Sequence, residues 1–400
     1  MGSCRRLNKR GRSLLKITLN RNLRRTLLRG HPWVYREALS GSPALSSQSE
    51  AALCRVQDQK GDLAWGFYDP HSVIAFRLLS LEKSLPEDQF FENLFEKALK
   101  IRGGFDPKLT NAFRLFNGEG DLLPGLVCDL YGKVAVLQFD GRGPSEFWNR
   151  DLLISWLLKR TLCKTVVEKG RGKGSDSFCV LAGDAVPERV EILENGARFA
   201  IDLVRGQKTG FFLDQRDNRA YVREMSRGKR FLNLFSYTGG FSIYAGLGGA
   251  FKVRSIDISK GALELSQVSW ELNGLNPGDH AFESRDVFDE IQGSAEKWDS
   301  VMVDPPSMAS SESQKEAATR KYIEVFSAAA KKVNSGGDLY ASSCSSHISF
   351  SDFFKIIEEA LSGARRRGQI LRVSGQGFDH PFPHVCPELR YLKFVHLVLN

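Results

Sequence analysis

The sequence predicts an α/β protein in which a doubly wound C-terminal domain follows a small β-rich domain and a central α+β domain. From about Arg189 onward, short apolar runs typical of strands alternate with helical patterns, as in a parallel sheet covered by helices on both faces. Before Leu81, short apolar runs are separated by Gly, Pro and Ser, which favours a β-rich module. We therefore divide the chain into residues 1–82, 83–188 and 189–400.

The first two segments are predicted to contain short strands and two helices. One amphipathic helix is expected over Pro86–Arg102, where Phe90, Leu94, Phe95 and Leu99 fall at helical spacing. The strands are expected at Ser13–Leu19, Ala52–Gln57, Leu63–Tyr68, Val73–Leu79, Phe113–Asn117, Gly125–Asp129 and Lys133–Phe139, and the second helix at Phe147–Leu162.

The C-terminal segment is predicted to alternate between strands and helices. The strands are Arg198–Leu203, Arg230–Phe235, Val253–Ile258, Ser300–Asp304, Asp338–Ser342, Ile370–Ser374 and Tyr391–Leu399. The helices are Gln215–Met225, Phe241–Leu247, Lys260–Asn273, Ser313–Val333 and Phe350–Leu361. A sheet of this kind binds its ligands at the carboxyl ends of its strands.

The charge of the chain indicates a polyanionic partner. The formal net charge is +9, and the stretch Arg5–Arg36 contains no acidic residue. That stretch is a solvated tail, an Arg-rich organelle transit peptide or an arm that faces RNA. We favour the arm, because the stretch runs directly into a predicted strand. The loop Lys169–Ser177 is either a plain linker or a mobile element that contacts RNA.

The seven cysteines predict neither a disulfide framework nor a zinc site, because they are odd in number, scattered and without a CxxC pair. No secretory signal and no apolar run long enough to cross a bilayer is found in the sequence. We therefore expect a cytoplasmic protein that does not associate with a membrane.

Polar residues recur at the ends of successive predicted strands. The turn Ser236–Gly240 opens a helix after the first of these strands, and Asp257, Asp286 and Asp304 lie at or near the ends of the next three. A single acid in this position is commonly a helix N-cap, but several in register predict one shared site. The turn has no GxGxxG pattern for a dinucleotide. The set therefore favours a ligand made of adenosine and an amino acid, which is S-adenosylmethionine.

Several sequence strings occur in the order found in one known family. They are Leu28–Val34 (LRGHPWV), Gly118–Asp129 (GEGDLLPGLVCD), Gly206–Arg219 (GQKTGFFLDQRDNR), Asn233–Phe241 (NLFSYTGGF), Asp304–Ser307 (DPPS), Ser343–Ser345 (SCS), Asp379–Pro381 (DHP) and Pro387–Lys393 (PELRYLK). Over nearly its whole length the chain resembles the PUA-domain-containing RNA cytosine-5 methyltransferases, whose known bacterial member modifies large-subunit (23S) ribosomal RNA. The resemblance implies a PUA domain at the N-terminus and a Rossmann-like methyltransferase domain at the C-terminus.

The resemblance also implies which residues contact S-adenosylmethionine. They are Gln215, Arg216 and Asn218 ahead of the first strand, Phe235, Ser236, Tyr237 and Gly239 around the methionine part, Asp257, Ile258 and Ser259 at the ribose, Asp286 and Val287 at the adenine, and Asp304 beside the target base.

Methylation of a pyrimidine at carbon 5 requires a thiolate that first adds to carbon 6, because carbon 5 alone is a weak nucleophile. Cys344 follows the predicted strand Asp338–Ser342 and stands at the nucleophile position of the family's SCS string. Cys386 is the weaker candidate, since it falls where the family tolerates variation. We therefore predict Cys344 as the nucleophile.

Asp304 begins a DPP motif that has two interpretations. In methyltransferases that act on exocyclic amines, such a motif orients the amino group and usually ends in an aromatic residue that stacks on the base. Ser307 and then Met308 follow here. The missing aromatic residue and the available Cys344 favour carbon methylation, with Asp304 bonded to the edge of the base. The group that removes the proton from carbon 5 stays unassigned.

Several basic and aromatic residues are predicted to contact RNA. Arg24, Arg25 and Arg29 lie next to Trp33, a combination suited to phosphate contact and stacking, although Trp33 equally suits a core. From the family motifs, His380 and Arg390 are expected to shape the pocket or meet the RNA, and Arg390 equally suits an ion pair.

The sequence thus predicts methylation of carbon 5 of a cytosine in ribosomal RNA. An RNA methyltransferase with another target, or an RNA-binding assembly factor without activity, are the alternatives. The intact Asp257, Asp304 and Cys344 argue against the inactive factor. Ribosomal RNA is the expected partner, no metal is expected, and a homodimer stays open.

Overall fold

The computed structural model describes residues 15–41, 43–170, 177–293, 295–309 and 311–400. The start of the basic N-terminal stretch, up to residue 14, and residues 171–176 of the loop Lys169–Ser177 lie outside these ranges, so the interpretations given for them stay predictions. In the described part of the chain, no helix combines the length and the apolar character needed to span a bilayer.

The N-terminal sheet has the strand order β1-β3-β4-β5-β2. Its elements are β1 (Leu15–Thr18), α1 (Arg24–Leu28), β2 (Trp33–Tyr35), α2 (Pro43–Ser46), β3 (Ala52–Asp58), β4 (Gly61–Tyr68) and β5 (Ile74–Ser80). The predicted strands are confirmed, whereas the short strand β2 and helix α1 were not predicted from the apolar pattern. Buried Ile17, Val56 and Phe76 lie in the core of this sheet.

The central segment forms a second sheet with the order β10-β9-β8-β7-β6. Its elements are α3 (Asp88–Arg102), β6 (Ala112–Asn117), β7 (Leu126–Tyr131), β8 (Val134–Phe139), α4 (Arg142–Phe147), α5 (Arg150–Arg160), β9 (Thr165–Lys169) and β10 (Phe178–Ala182). The amphipathic helix α3 is confirmed, and its Leu94 and Phe95 are buried. The helix expected over Phe147–Leu162 begins later, because Asn149 accepts hydrogen bonds from the first turn of α5 as its N-cap.

The C-terminal part contains a hairpin and a seven-stranded sheet with the order β15-β14-β13-β16-β17-β19-β18. The strands are β11 (Val190–Glu194) and β12 (Ala197–Ile201) in the hairpin, then β13 (Arg230–Leu234), β14 (Lys252–Asp257), β15 (His280–Ser284), β16 (Trp298–Val303), β17 (Val333–Ser343), β18 (Gly368–Ser374) and β19 (Lys393–Leu399). The helices are α6 (Arg216–Met225), α7 (Gly240–Leu247), α8 (Lys260–Leu272), α9 (Val287–Gly293), α10 (Lys315–Lys332) and α11 (Phe350–Gly363).

The doubly wound architecture is confirmed, but the sheet is not parallel throughout. Strands β13 to β17 pair with one another in parallel, whereas β19 is antiparallel to both β17 and β18. A parallel pair requires a long crossover, usually a helix, and in the chain between β18 and β19 only the short 3₁₀ turn Pro387–Leu389 is helical. The strand order reverses between β13 and β16, which places a ligand crevice at the carboxyl ends of these two strands.

The central sheet and the C-terminal sheet both contribute buried side chains to one apolar cluster. Tyr131 and Val136 of the central sheet belong to one apolar cluster with Phe199 of the hairpin and with Phe231 and Tyr340 of the C-terminal sheet. The expected boundaries near residues 82 and 188 fall between β5 and α3 and between β10 and β11. The division into three domains at these positions stays a prediction.

The start of α11 offers a test of the local structure. Ser349 Oγ accepts a hydrogen bond from the Asp352 backbone N–H at 3.1 Å, and the Asp352 carboxylate accepts one from the Ser349 backbone N–H at 3.1 Å. We expect Ser349→Ala to lower the free energy of unfolding by about 1 kcal/mol. Urea denaturation should leave the control Ser351→Ala, in the same turn, within about 0.5 kcal/mol of the parent. Equal midpoints for the two variants would contradict this assignment.

Candidate active site

A cavity of about 420 Å³ lies at the carboxyl ends of β13, β14, β16 and β17. Its volume is that of a small-molecule site. It brings together most of the residues that the sequence placed at a cofactor or at a catalytic centre, which are Gln215, Phe235, Ser236, Tyr237, Asp257, Ile258, Asp286, Val287, Asp304 and Cys344. Because the carboxyl ends of parallel strands meet at one edge of a sheet, residues more than 120 positions apart converge there.

The turn after β13 approaches the cavity closely with its backbone. Phe235, Tyr237 and Gly239 have φ angles of 59°, 47° and 74°, in the left-handed region that non-glycine residues rarely occupy. A Cβ atom on Gly239 would lie 1.8 Å from Ser266 Oγ, so only glycine fits there. The Ser236 and Thr238 hydroxyl oxygens are buried in this turn without a hydrogen-bond partner in the described part of the chain.

Asp257 fixes the turns that end β13 and β14. Its carboxylate accepts a hydrogen bond from the Tyr237 backbone N–H and one from the Ser259 backbone N–H, each at 2.8 Å. Ser259 in turn caps α8 through the Ala262 backbone N–H, at 3.3 Å. Gly239 and Ser259 therefore flank the cavity and shape it, and neither of these two residues lines it.

Asp304 lies at the end of β16 in a network of side-chain hydrogen bonds. Gln215 Nε2 donates to Asp304 Oδ2 at 2.9 Å and to Ser342 Oγ at 2.9 Å. Loss of surrounding water raises the pKa of Asp304 to about 6, although the hydrogen bond from Ser342 acts in the opposite direction. With a pKa of about 6, roughly a tenth of this carboxyl group is protonated at pH 7, and that form can donate a hydrogen bond.

Cys344 follows β17 and faces the same cavity as Asp304. Burial raises the pKa of the Cys344 thiol to about 11, and the Lys208 cation partly offsets that effect. Lys393 Nζ donates to the Ser345 carbonyl oxygen at 2.6 Å and thereby fixes the loop that carries Cys344. The thiol is half-buried and within reach of a ligand in the cavity.

A second ionic group at the cavity was not assigned from the sequence. Lys208 Nζ lies 2.7 Å from Asp214 Oδ2, and the Tyr391 hydroxyl donates to the same oxygen at 2.6 Å. The neighbouring Lys208 cation holds the pKa of Asp214 below its usual value in spite of burial. Lys208 and Asp214 lie within the string GQKTGFFLDQRDNR and Tyr391 within PELRYLK, so a signal was present in the sequence.

Two of the residues expected at the cofactor lie behind the cavity instead. The Arg216 guanidinium is buried in ion pairs with Asp379 at 2.8 Å and Glu194 at 3.8 Å. Asn218 Nδ2 donates to Gln215 Oε1 at 2.7 Å, so Asn218 orients Gln215 and does not itself reach the cavity wall. This placement corrects the expected direct contacts, because helix α6 turns these two side chains toward the protein interior.

The residues expected at the RNA are divided between the surface and the interior. Arg25, Arg29 and Arg390 are exposed. Arg24 forms an ion pair with Asp58 at 2.6 Å, and the Trp33 indole donates to Glu119 at 2.9 Å.

His380 cannot meet an RNA from its position in the structure. Its side chain is 2% exposed, and Nδ1 lies 3.0 Å from the carboxylate of Asp379. Asp379 in turn holds the buried Arg216 at 2.8 Å. The burial of His380 corrects its expected contact with RNA. The DHP string packs its histidine inward, where it lies beside the Asp379 carboxylate that holds Arg216. Exposed Arg390 lies with its guanidinium carbon 4.1 Å from the centre of the Phe350 ring.

The cavity matches the chemistry of adenosine joined to an amino acid. Asp257 can accept hydrogen bonds from ribose hydroxyls, and the unpaired Ser236 and Thr238 hydroxyls can meet the polar amino-acid part. Ile258 is 75% exposed at the cavity wall beside Phe288, which supplies apolar contact for an adenine ring. Fold and cavity together define a class of protein, the enzymes that bind S-adenosylmethionine on a doubly wound sheet.

Comparison with known proteins agrees with this class. Residues 156–387 match the model of an S-adenosylmethionine-dependent methyltransferase family, and residues 17–81 match a PUA-like domain. The chain is 34% identical to a ribosomal RNA large subunit methyltransferase of Deinococcus radiodurans, over 93% of this chain and 94% of the relative. It is 35% identical to ribosomal RNA large subunit methyltransferase I of Photobacterium profundum, over 94% and 97%.

A solved structure of a putative methyltransferase complexed with SAH is also similar. It is 25% identical, superposes with a TM-score of 0.83 and covers 96% of this chain and 99% of that chain. The chain belongs to the S-adenosylmethionine-dependent methyltransferase family, with a PUA-like domain at its N-terminus. The cofactor predicted from the strand ends is thus confirmed.

Proposed function

We propose that this protein methylates carbon 5 of a cytosine in large-subunit ribosomal RNA through a covalent adduct with Cys344. The observation that carries the proposal is the presence of a thiol and a carboxyl group of raised pKa in one cavity with the cofactor site. The relatives named as ribosomal RNA large subunit methyltransferases support the choice of RNA, since they align with more than nine-tenths of the chain.

The side chains in the cavity fit the electron movements of this reaction. The Cys344 thiolate forms a bond to carbon 6, and the displaced electron pair of the ring moves through carbon 5 toward N3. Protonated Asp304 gives its proton to N3 and so stabilises the adduct, in which carbon 5 is enamine-like. Bound S-adenosylmethionine supplies an electrophilic methyl group. After carbon 5 has taken that methyl group, a base removes the carbon-5 proton, the Sγ–carbon 6 bond breaks, and N3 returns its proton to Asp304 as the thiolate is restored.

The cofactor is held, in this proposal, by the ends of β13, β14 and β15. Asp257 binds the ribose, the turn Phe235–Gly239 surrounds the methionine part, and Asp286 and Val287 lie at the adenine. Gln215 and Asn218 act on the base side, because Gln215 holds Asp304 and Asn218 holds Gln215. Lys208 provides the only ammonium group that lines the cavity in the described part of the chain, and it favours the Cys344 thiolate.

Amine methylation is the competing reaction for a DPP motif, and the structure of the loop favours carbon methylation. Ser307 Oγ lies 3.1 Å from Ser345 Oγ, so the position after DPP packs against the Cys344 loop and carries no ring for a base to stack on. That contact links the two motifs that a carbon-5 mechanism uses together.

The role of Asp257 can be tested by binding alone. We expect Asp257→Ala to weaken S-adenosylhomocysteine binding by about 10- to 100-fold, because hydrogen bonds to a charged group contribute about 1.5–3 kcal/mol each. Isothermal titration should leave the control Asp289→Asn, an exposed acid on the neighbouring helix α9, close to the parent. Equal affinities of both variants would remove Asp257 from the cofactor site.

Nucleoside mass spectrometry tests the proposed reaction itself. Unmodified large-subunit ribosomal RNA, S-adenosylmethionine and the full chain are incubated together, and the digested RNA is analysed for methylated nucleosides. We expect 5-methylcytidine. A methylated nucleoside other than 5-methylcytidine would place the enzyme on another position, and the absence of any product on free RNA and on ribosomal particles would favour a non-catalytic role.

A further inference from the structure

Three side chains with metal-binding atoms meet between the PUA-like domain and the loop that precedes β19. His31, Cys386 and Glu388 each offer one nitrogen, sulfur or oxygen atom, and these atoms all lie within 4.8 Å of one another. His31 is half-buried, Cys386 is a free and fully buried cysteine, and Glu388 is exposed. The cluster therefore has an interior sulfur ligand and one side that faces solvent.

We propose that this cluster binds a zinc ion that joins the two parts of the protein. An imidazole, a thiolate and a carboxylate form a mixed donor set of the kind that Zn²⁺ accepts with three protein ligands and one water. Mg²⁺ and Ca²⁺ prefer oxygen ligands, so the sulfur and nitrogen atoms select against them. The open side at Glu388 leaves room for the water.

The backbone of Trp33 holds the His31 ring in place. The Trp33 backbone N–H donates to His31 Nδ1 at 3.3 Å, and the Trp33 carbonyl oxygen lies 3.2 Å from the same atom. Trp33 is itself held by the hydrogen bond from its indole to Glu119, at 2.9 Å, and Glu119 pairs with Arg77 at 2.8 Å.

The backbone around the other two ligands is fixed as well. The Cys386 N–H donates to the Pro383 carbonyl oxygen at 2.9 Å, and the Cys386 carbonyl oxygen accepts from the Leu389 N–H at 3.1 Å. The short 3₁₀ turn Pro387–Leu389 keeps Glu388 beside the thiol. Zinc–ligand bonds of about 2.0–2.3 Å require a contraction of this cluster by roughly 1 Å, which is small for side chains that lie on loops.

The position of the site has a consequence for the catalytic cavity. Leu392 lines that cavity, and the Tyr391 hydroxyl donates to Asp214 at 2.6 Å, only a few residues beyond the 3₁₀ turn. An ion bound by His31 therefore ties the PUA-like domain to a segment that forms the cavity wall.

Cobalt(II) is a suitable probe, because it replaces zinc and reports a bound thiolate by a charge-transfer band. The full-length protein, stripped with a chelator, is titrated with Co²⁺ and then with Zn²⁺. We expect one equivalent to produce the thiolate band and the visible bands of tetrahedral Co²⁺, and one equivalent of Zn²⁺ to abolish them. Zn²⁺ should also raise the melting temperature of the parent protein.

Three variants decide whether these ligands are responsible. Cys386→Ser should lose the charge-transfer band, and Glu388→Gln, an exposed change that leaves the fold intact, should weaken Co²⁺ binding by at least about 10-fold. The control Cys179→Ser, at an exposed free cysteine on β10, should bind like the parent. The proposal is overturned if the parent shows no thiolate band, if Cys386→Ser keeps it, or if Glu388→Gln binds Co²⁺ with unchanged affinity.

Discussion

Replacement of Cys344 by alanine is expected to lower the rate of ribosomal RNA methylation by at least about 10³-fold. The reason is that carbon 5 of cytosine becomes nucleophilic only after the thiolate has added to carbon 6. The side chain lies at the cavity wall on the far side of β16 from Asp257, the proposed ribose ligand, so the cofactor should still bind. We expect S-adenosylhomocysteine to bind Cys344→Ala within about twofold of the parent, which separates lost chemistry from lost folding.

The same nucleophile can be trapped. RNA that carries 5-fluorocytidine at the target position has no proton to lose from carbon 5, so the Cys344 adduct should accumulate as a covalent complex that survives denaturing electrophoresis. Cys344→Ala should form no complex, and Cys179→Ser, at an exposed cysteine outside the cavity, should form as much as the parent. An active Cys344→Ala variant would make this thiol structural and would transfer the chemistry to another group.

Replacement of Asp304 by asparagine is expected to lower the rate by about 10²- to 10⁴-fold, the range for loss of a general acid or base. Asparagine keeps the shape of the carboxyl group and can still contact Gln215, which donates to Asp304 at 2.9 Å. It cannot give a proton to N3. Single-turnover methylation by Asp304→Asn, compared with the control Asp289→Asn on the neighbouring α9, measures this loss.

The pH dependence distinguishes a proton donor from a merely structural acid. In the proposed mechanism, the active form carries protonated Asp304, whose pKa is raised to about 6, and thiolate Cys344, whose pKa is raised to about 11. Between these two pKa values, the protonated fraction of Asp304 falls about tenfold per pH unit, while the thiolate fraction of Cys344 rises about tenfold. We therefore expect kcat/KM of the parent to be flat from pH 7 to 9.

The Asp304→Asn variant has no carboxyl group to lose its proton as the pH rises. Its kcat/KM should therefore follow the Cys344 thiolate alone and rise about tenfold per pH unit over the same range. The control is the exposed variant Asp289→Asn, which should keep the flat profile of the parent. Parallel profiles of Asp304→Asn and the parent would show that Asp304 does not supply the proton.

The α/β class, most elements of the C-terminal sheet and the strand-end part of the site could be predicted from the amino-acid sequence. Asp257, Asp304 and Cys344 could be placed together because the carboxyl ends of neighbouring parallel strands meet at one edge, whatever the side-chain packing. The amphipathic helix α3 was predictable for a similarly local reason, since its apolar residues repeat at the spacing of one helical face.

Features that depend on which distant side chains pair could not be predicted from the sequence and became visible in the folded chain. The direction of β19, the inward turn of Arg216 and His380, and the hydrogen bond from Gln215 to Asp304 follow from contacts between segments that lie far apart in the sequence. The Lys208–Asp214–Tyr391 group has the same origin.

The proposed metal cluster shows why ligand spacing along a chain gives only part of the answer. His31 and Cys386 are separated by most of the sequence, and no local pattern brings them within 4.8 Å of each other. Local periodicity and strand-end position are properties of one segment, and they can be recognised in the sequence. Ion pairs and ligand sets between segments arise from the packing of whole sheets, and they appear only when the chain is folded.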